Sequence, residues 1–302
     1  MATVRQLECF VAVVECGSFT AAAERVLMTQ PALSRSIREL ERVVGGALLE
    51  RQPRRAVLTP VGRAVLPAAQ AALAEVKRVR ELGRRAANLD AGELRVAAVQ
   101  SLTLAALLPV VREWRRRHSG VELRLTEFAS LDRLVEAMRA GAADVAVAPR
   151  PEGWTGPLRE LGVEEFVVVL PAGEEGPGPG RRLDLRALSN RAWVHYEPAN
   201  GLSTVVDAAC AAAGFAPRVA VRTAQSSAAP RLAAAGLGPA LVPANLLSPS
   251  DPGTIVFPRP AVRRPVAAFT RHRPDPLTAA FIELVSRYLV VVPDHLPLPG
   301  EA

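Results

Sequence analysis

The stretch that decides the fold of the N-terminal third is GSFTAAAERVLMTQPALSRSIRELERVVGG, residues 17–46. Ser18 and Thr29 are residue types that cap helix N-termini, and an amphipathic run follows each of them. Pro31 falls in a first helical turn, where a missing N–H costs little, and Gly45 is placed to end that helix. The pattern predicts two short helices joined by a tight break. The expected buried stripe of the second helix is Leu33, Ile37, Leu40 and Val44.

The segments on either side extend this pair of helices. An apolar face over residues 7–14 predicts a preceding helix that ends at Gly17. Downstream, two short apolar runs flank a basic tip at residues 52–55, which predicts a small β-hairpin. A long helix is then expected from Pro60 to about Ala87.

Two short helices followed by a basic hairpin are typical of a winged helix-turn-helix. In that arrangement the second of these two helices, which is the third helix of the chain, lies in a DNA major groove and the hairpin contacts phosphates. Opposite its apolar stripe, the third helix presents an amide, small residues, a hydroxyl and guanidinium groups, which suit base edges. The alternative interpretation of each single arginine is that it belongs to a basic, solvent-exposed helix face without a binding role. The residues expected to contact DNA are Ser18, Thr20, Gln30, Pro31, Ala32, Ser34, Arg35 and Arg38 in the helices, and Arg51, Arg54 and Arg55 in the hairpin.

The charge distribution favours a polyanionic partner. The 302 residues include 37 Lys and Arg against 30 Asp and Glu, a net charge of +7. Residues 1–90 hold 14 basic and 9 acidic residues, so most of the basic excess lies in the first third. Hydrophobic residues make up 49% of the chain, which excludes disorder as its main state.

The helix from Pro60 onward carries an apolar stripe with little nearby in sequence to cover it. A solvated spacer is one interpretation, and a self-association seam is the favoured one. The residues expected to form that seam are Val65, Ala69, Leu73 and Val76.

The remaining two thirds alternate strand and helix. Strand-like runs at 94–99, 121–128 and 143–149, with helices between them, form a βαβαβ unit and predict a parallel sheet. A second unit follows from 165–171, and the last strand and helix are expected to return to the first lobe. The expected fold is therefore an N-terminal winged helix-turn-helix, mostly α, plus an α/β domain of two Rossmann-like lobes.

Expected domain boundaries follow from these patterns. They are 1–58 for the winged helix-turn-helix, 59–88 for the linker and dimerisation helix, 92–294 for the α/β domain and 295–302 for a tail. Within the α/β domain, lobe I is expected at about 92–161 and 266–294, and lobe II at about 162–265. The Pro-rich segment after Val292 is expected to be disordered.

Signals for catalysis, metals and membranes are absent from the sequence. The four histidines are far apart, no HExxH, GxSxG or P-loop pattern occurs, and the three cysteines form no CxxC. His195 is interpreted as a structural strand residue. We expect no enzyme activity, no cofactor and no metal. No run of about 18 apolar residues exists and the start does not read as a signal peptide, so a cytoplasmic location and no membrane partner are expected.

Residues 5–67, RQLECFVAVVECGSFTAAAERVLMTQPALSRSIRELERVVGGALLERQPRRAVLTPVGRAVLP, resemble the N-terminal domain of LysR-type transcriptional regulators. ALLPVVREWRRRHSGVELRL and DAACAAAGFAPRVAV are similar to the effector-binding, periplasmic-binding-protein-like domain of the same family. The resemblance covers nearly the whole chain. It implies a transcriptional regulator that binds double-stranded promoter DNA, responds to a small-molecule effector and forms a homodimer or homotetramer, with RNA polymerase as a further candidate partner.

The expected effector site lies where the lobes meet. In open α/β sheets, ligands bind at the carboxyl ends of strands, and three polar turns follow strands here, at 100–103, 199–203 and 223–226. Helix caps that face each other leave free N–H groups, and no acidic residue stands in these turns, so a small carboxylate is expected. Ser101, Thr103, Asn200 and Ser203 are expected to hold it. The full set of expected effector-binding residues is Gln100, Ser101, Thr103, Phe128, Asn200, Gly201, Ser203 and Gln225.

Three alternatives remain open. One is a repressor of similar build that needs no ligand. Another is a solute-binding protein of a transport system, whose fold the effector domain resembles, although such a protein needs no winged helix. The third is an enzyme. Salt-dependent DNA binding without turnover would separate these classes.

Overall fold

The computed structural model describes residues 1–52, 55–87, 92–103, 106–177 and 182–296. The chain divides into two compact units. The first comprises Met1–Gly92 and Arg139–Ala142, and the second comprises Glu93–Met138 and Ala143–Ala302. Within the described ranges, no helix has both the length and the apolar character needed to cross a membrane.

The first unit combines helices with one hairpin, as the sequence predicts. Its strands pair antiparallel, with Leu49 opposite Leu58 and Gln52 opposite Arg55. Its elements are α1 Val4–Cys16, α2 Phe19–Arg25, α3 Gln30–Val44, β1 Leu49–Gln52, β2 Arg55–Leu58 and α4 Pro60–Ala87.

Local capping explains where these helices begin and end. Gly17 follows α1 with a left-handed φ of 66°, and Gly45 follows α3 with a φ of 86°. The hydroxyl of Thr29 accepts a hydrogen bond from the Ala32 N–H at 3.4 Å. Ser18 also holds an N-cap position, but its side chain makes no capping bond. The predicted helix boundaries are confirmed, with a weaker N-cap at α2 than expected.

The core of the first unit differs from the prediction at the end of α3. Leu33, Ile37 and Leu40 are at most 1% exposed, whereas Val44 is 37% exposed. The predicted buried stripe is therefore wrong at Val44, which is the last residue of α3 and lies beyond the part of the helix that packs on the core.

The stripe on α4 is covered more than the sequence suggests. Ala69 is 2% exposed and belongs to the core that α1 and α3 form, while Val65 and Leu73 pack partly against it. The expectation that little covers this stripe is wrong, because α1 lies on it. A different face of α4 is exposed, formed by Val61, Ala64, Ala68 and Ala72.

The second unit is an α/β domain. Its helices are α5 Gln100–Thr103, α6 Leu108–Arg117, α7 Leu131–Arg139, α8 Leu202–Ala212, α9 Ala229–Leu232 and α10 Pro276–Tyr288. Its strands are β3 Gly92–Val99, β4 Val121–Phe128, β5 Val145–Pro149, β6 Leu158–Leu170, β7 Leu183–Asp184, β8 Ala192–Tyr196, β9 Arg218–Thr223, β10 Ala240–Pro243, β11 Thr254–Val256, β12 Pro258–Arg259 and β13 Arg263–Phe269.

One mixed sheet joins the two lobes, in the strand order β10-β6-β13-β5-β3-β4, with β11 also on β6. The predicted parallel pairs are present, β3 with β5 and β8 with β9. The strand predicted at 165–171 is longer than expected, because β6 begins at Leu158. Its first half pairs antiparallel with β13 and its second half with β10 and β11, so the sheet is not purely parallel.

Two separate apolar cores flank the cavity described below. One is built from β3, β5, α6 and α10, and the other from β6, β8, β10 and α8. The segment after α10 contacts both, since Val291 packs against the first core and Leu296, 7% exposed, belongs to the second. The expectation of disorder after Val292 is therefore wrong as far as Leu296, because an apolar side chain anchors the chain there; residues 297–302 lie outside the described ranges.

Leu27 supplies a test of backbone strain. It is 91% exposed and has a φ of 55°, a left-handed conformation that costs a non-glycine residue roughly 1–2 kcal/mol. Leu27→Asn should raise the free energy of unfolding by about 1 kcal/mol, because asparagine tolerates this region better. Urea denaturation of the full chain measures the change. Val43→Asn, at a helical position 48% exposed, is the matched control and should not stabilise the chain. Equal changes in the free energy of unfolding for the two variants would contradict backbone strain at Leu27.

Candidate functional sites

The exposed face of α3 holds most of the residues expected to contact DNA. Gln30, Pro31, Ala32, Arg35 and Arg38 are exposed, as is Thr20 on α2, and Ser18 is half-buried. Ser34 is 7% exposed and lies on the core side. Its expected place on the exposed face is wrong, because it follows Leu33 directly and shares the edge of the buried stripe.

The basic side chains of α3 differ in their partners. The Arg35 Nε lies 3.2 Å from the Glu39 carboxylate, which also accepts a bond from Gln6 at 3.3 Å. Arg38 makes no hydrogen bond or ion pair with any residue in the described ranges. Arg38 is therefore the guanidinium on this face that needs no rearrangement to reach an external anion.

The predicted hairpin is present as two antiparallel strands. Arg54 lies outside the described residues, and only the backbone of Arg51 and Arg55 is described. Their strands β1 and β2 are present, so the predicted wing is found while its basic contacts stay a prediction.

A cavity of about 500 Å³ lies between the two lobes of the second unit. That volume falls in the range of about 300–1,000 Å³ typical of small-molecule sites. Half of the expected effector residues line it, namely Gln100, Ser101, Asn200 and Gly201. The carboxyl ends of β3 and β8 thus meet at one crevice. This agrees with the strand-end rule, by which ligands of open α/β sheets bind at the carboxyl ends of strands.

The other four expected residues do not line this cavity. Thr103 turns back to the Val99 carbonyl at 3.4 Å, and Ser203 is buried inside α8. Phe128 packs against the first core, and Gln225 is exposed within its own turn. Ser226 takes the place expected for Gln225, since it lines the cavity and accepts a bond from the Asn200 amide at 3.2 Å.

The backbone N–H groups at the start of α8 are already used. The Gly201 N–H donates to the Ala129 carbonyl of the facing lobe at 2.8 Å. The Leu202 N–H donates to Asn200 Oδ1 at 3.0 Å, and the Ser203 N–H to the Asn200 carbonyl at 2.9 Å. The expectation of free N–H groups is therefore wrong at these three positions, because Asn200 accepts two of the bonds and Ala129 accepts the third.

Ionisable side chains that the strand-end rule does not find also line the cavity. They are Arg264 on β13, and Asp132, Arg133 and Glu136 on α7. The three from α7 are exposed and their side chains have no partner in the described part of the chain. The three polar turns contain no acidic residue, but α7 brings two carboxylates to the cavity wall, so the absence of acidic residues from the turns does not exclude a cationic group on the ligand.

Arg264 is held by a carboxylate that water does not reach. Glu164 is fully buried on β6, directly opposite Arg264 in the strand register. It accepts bonds from Arg264 Nε at 2.9 Å and Nη2 at 2.6 Å, and from the Asn245 amide at 2.9 Å. The guanidinium carbon also lies 5.3 Å from the centre of the Phe166 ring. Nη1 of Arg264 makes no hydrogen bond to the residues that the structure describes.

His195 and Cys210 belong to the second core, not to the cavity. His195 is 1% exposed and bonds to Asp207 at 3.1 Å and to Arg222 at 3.0 Å. Burial raises the pKa of the Cys210 thiol to about 12, so this thiol is protonated and unreactive at neutral pH. In the described ranges, no three His, Cys, Asp or Glu side chains are grouped as metal ligands.

Family comparisons match both units. Residues 4–63 match the model of bacterial regulatory helix-turn-helix proteins of the lysR family, and residues 87–290 match the LysR substrate binding domain. The chain belongs to the LysR family of transcriptional regulators. It is 35% identical to the transcriptional regulator IlvR of Caulobacter vibrioides over 80% of this chain and 83% of that one.

Solved structures of LysR-family proteins agree over the full length. CbnR bound to its target DNA is 28% identical, with a TM-score of 0.66 over 95% of this chain and 99% of that one. Full-length OxyR of Pseudomonas aeruginosa, 22% identical, has a TM-score of 0.72 over 98% of this chain and 99% of that one, and shows the shared fold. A winged helix-turn-helix followed by an effector-binding domain is therefore the architecture of this LysR-family chain.

The buried ion pair gives a stability test. Arg264→Gln leaves the Glu164 carboxylate buried without its cation and should cost about 3–5 kcal/mol of unfolding free energy. The double variant Glu164→Gln/Arg264→Gln leaves no buried charge and should recover at least about half of that loss. Urea denaturation measures both. Arg159→Gln breaks an exposed pair of similar length, 2.7 Å, and should cost at most about 1 kcal/mol. A double variant as unstable as the single one would contradict the argument.

Proposed function

We propose that this LysR-family regulator contacts promoter DNA through the exposed face of α3 and the hairpin, as a homodimer built on α4. We further propose that its inter-lobe cavity binds a small acid as effector. The observation that carries the effector proposal is the mostly buried Arg264, which lines the cavity and whose Nη1 forms no hydrogen bond to the described residues. The protein acts by binding and not by catalysis, in the cytoplasm where promoter DNA lies, with RNA polymerase as a further partner.

Exposure and charge support the DNA contact. Gln30, Arg35 and Arg38 lie on one exposed face of α3, and amide and guanidinium groups pair with adenine and guanine edges in the major groove. The related CbnR has been solved with its target DNA. The solute-binding alternative is not favoured, because it gives this winged helix no role.

The geometry of the cavity supports an acid as effector. A guanidinium binds carboxylates through directed N–H bonds, and Arg264 is held at the cavity wall with Nη1 spare. Ser101 adds a hydroxyl to the cavity lining, whereas the Asn200 amide is already donated to the Ala224 carbonyl and the Ser226 hydroxyl. An acid bound there contacts both lobes, so its binding is coupled to the angle between them.

The exposed face of α4 supports self-association. Val61, Ala64, Ala68 and Ala72 recur at intervals of 3, 4 and 4 residues and are exposed, whereas Ala69 is committed to its own core. A second copy of α4 can pack closely on such small side chains. We therefore propose that the dimer seam lies on this face, which is adjacent to the stripe of Val65, Ala69, Leu73 and Val76 expected from the sequence.

Arg38→Ala tests the DNA face. If Arg38 contacts a base edge, the variant should lose about 1–3 kcal/mol of binding free energy on a site selected by the wild-type chain from a randomised duplex library. Fluorescence anisotropy at several salt concentrations measures affinity and the salt slope. Arg231→Ala, an exposed arginine of the second unit, makes the same charge change and should bind like wild type. Wild-type affinity of Arg38→Ala would show that α3 does not lie in the groove.

Ala72→Glu tests the seam. Alanine and glutamate have similar helix propensities, so α4 should stay folded while two carboxylates face each other across the dimer. Sedimentation equilibrium should show dissociation to monomers, and DNA affinity should fall because two linked heads bind by avidity. Ala279→Glu, at an exposed alanine of α10, is the control and should stay dimeric. A dimeric Ala72→Glu variant would place the seam elsewhere.

A further inference from the structure

The cavity presents opposite charges on different elements. Arg264 comes from β13 and is mostly buried, whereas Asp132 and Glu136 come from the first two turns of α7 and are exposed. Arg133 lies between the two carboxylates in sequence but forms no ion pair with either in the described structure. The cavity wall therefore offers Arg264 with a spare donor, Arg133 without an ion pair in the described residues, and two carboxylates that form no ion pair there.

Gln100 also lines the cavity and carries an unused acceptor. The Gln100 Oε1 is buried and has no hydrogen-bond partner among the described residues. A buried acceptor without a donor is costly, and such groups in binding sites are commonly satisfied by the ligand. An acid in its ionised form carries acceptors only, so it can bond to Arg264 but satisfies neither Gln100 nor the α7 carboxylates.

We propose that the effector is a small zwitterion, which carries a carboxylate for Arg264 and an ammonium group for the carboxylates of Asp132 and Glu136, with the Gln100 amide oxygen as a further acceptor. This inference rests on the proposed binding of an acid in the cavity and adds the second, cationic group. An ammonium group has three N–H donors and no acceptor, which matches two carboxylates and an amide oxygen. A ligand without it leaves the two α7 carboxylates to water and the Gln100 Oε1 without a donor.

Matched pairs of acids test the ammonium group directly. Calorimetric titration of the full-length wild-type chain compares each acid with its amino derivative: propionate with alanine, butyrate with γ-aminobutyrate, caproate with ε-aminocaproate, and succinate with aspartate. The series varies the distance between the two charged groups. At least one amino derivative should bind about tenfold more tightly than its parent acid, the effect of one charge-assisted hydrogen bond.

Variants assign that preference to the α7 carboxylates. Asp132→Asn/Glu136→Gln should bind the parent acid as wild type does and lose the preference for the amino derivative. Glu127→Gln, which neutralises an exposed carboxylate that does not line the cavity, should keep the preference. Glu164→Gln/Arg264→Gln should lose both ligands.

Each outcome separates this inference from the proposed function. Parent acids that bind as tightly as their amino derivatives would overturn the zwitterion and leave the acid effector standing. A preference that survives in Asp132→Asn/Glu136→Gln would also overturn it. Failure of every acid and every amino derivative to bind wild type would overturn both the acid effector and the zwitterion.

Discussion

Two carboxylates shielded from water in the middle of one strand govern the architecture of the second unit. Glu164 is fully buried and Glu165 is 4% exposed, and each lies opposite an arginine of β13, Arg264 and Arg263. A buried carboxylate without its cation is strongly destabilising, so the pairs are satisfied in one register of β6 on β13. The partners are about a hundred residues apart in sequence, with 100 positions between Glu164 and Arg264. This register places β6 in both lobes and so defines where the cavity lies.

The same ion pair prepares Arg264 for a ligand. An isolated arginine side chain loses several rotatable bonds when it binds an acid, which reduces affinity. Here Glu164 holds Nε and Nη2, and the Phe166 ring lies against the guanidinium, so the ordering is already complete before a ligand arrives. The remaining N–H groups can then bind an acid with little further loss of entropy. A group that stabilises the strand register therefore also sets the geometry of the site.

Sequence reasoning succeeded where the deciding interactions are local. The ends of α1 and α3 were predicted from Gly17, Thr29 and Gly45, because caps act within a few residues. Errors arose where packing between distant segments decides. The helical pattern predicts Ser34 on the exposed face, although it borders the buried stripe. It also predicts an uncovered stripe on α4, although Ala69 packs into the core with α1.

The cavity residues also divide into those that local sequence signals predict and those that depend on the packing of distant segments. The strand-end rule found the turns that hold Ser101 and Asn200, since the topology follows from the alternation of strands and helices. It could not find Arg264, which lies within an antiparallel strand, or Glu136, which lies more than a turn into α7. Their place in the cavity depends on how β13 and α7 pack, and no local pattern in the sequence records that packing.

Chain crossings limit how a ligand can move the lobes. Within the described ranges, three segments pass between the two cores: β6, the chain from Val262 to Val266, and the chain from Val291 to Leu296. Several crossings restrict relative motion of the lobes to bending about them. A ligand shifts such an equilibrium only if it binds one lobe angle better than another. Arg264 lies at a crossing, whereas the α7 carboxylates lie on a helix that forms no crossing, so a ligand that bridges them has an affinity that depends on that angle. A ligand held by Arg264 alone contacts only the crossing, where bending changes distances least.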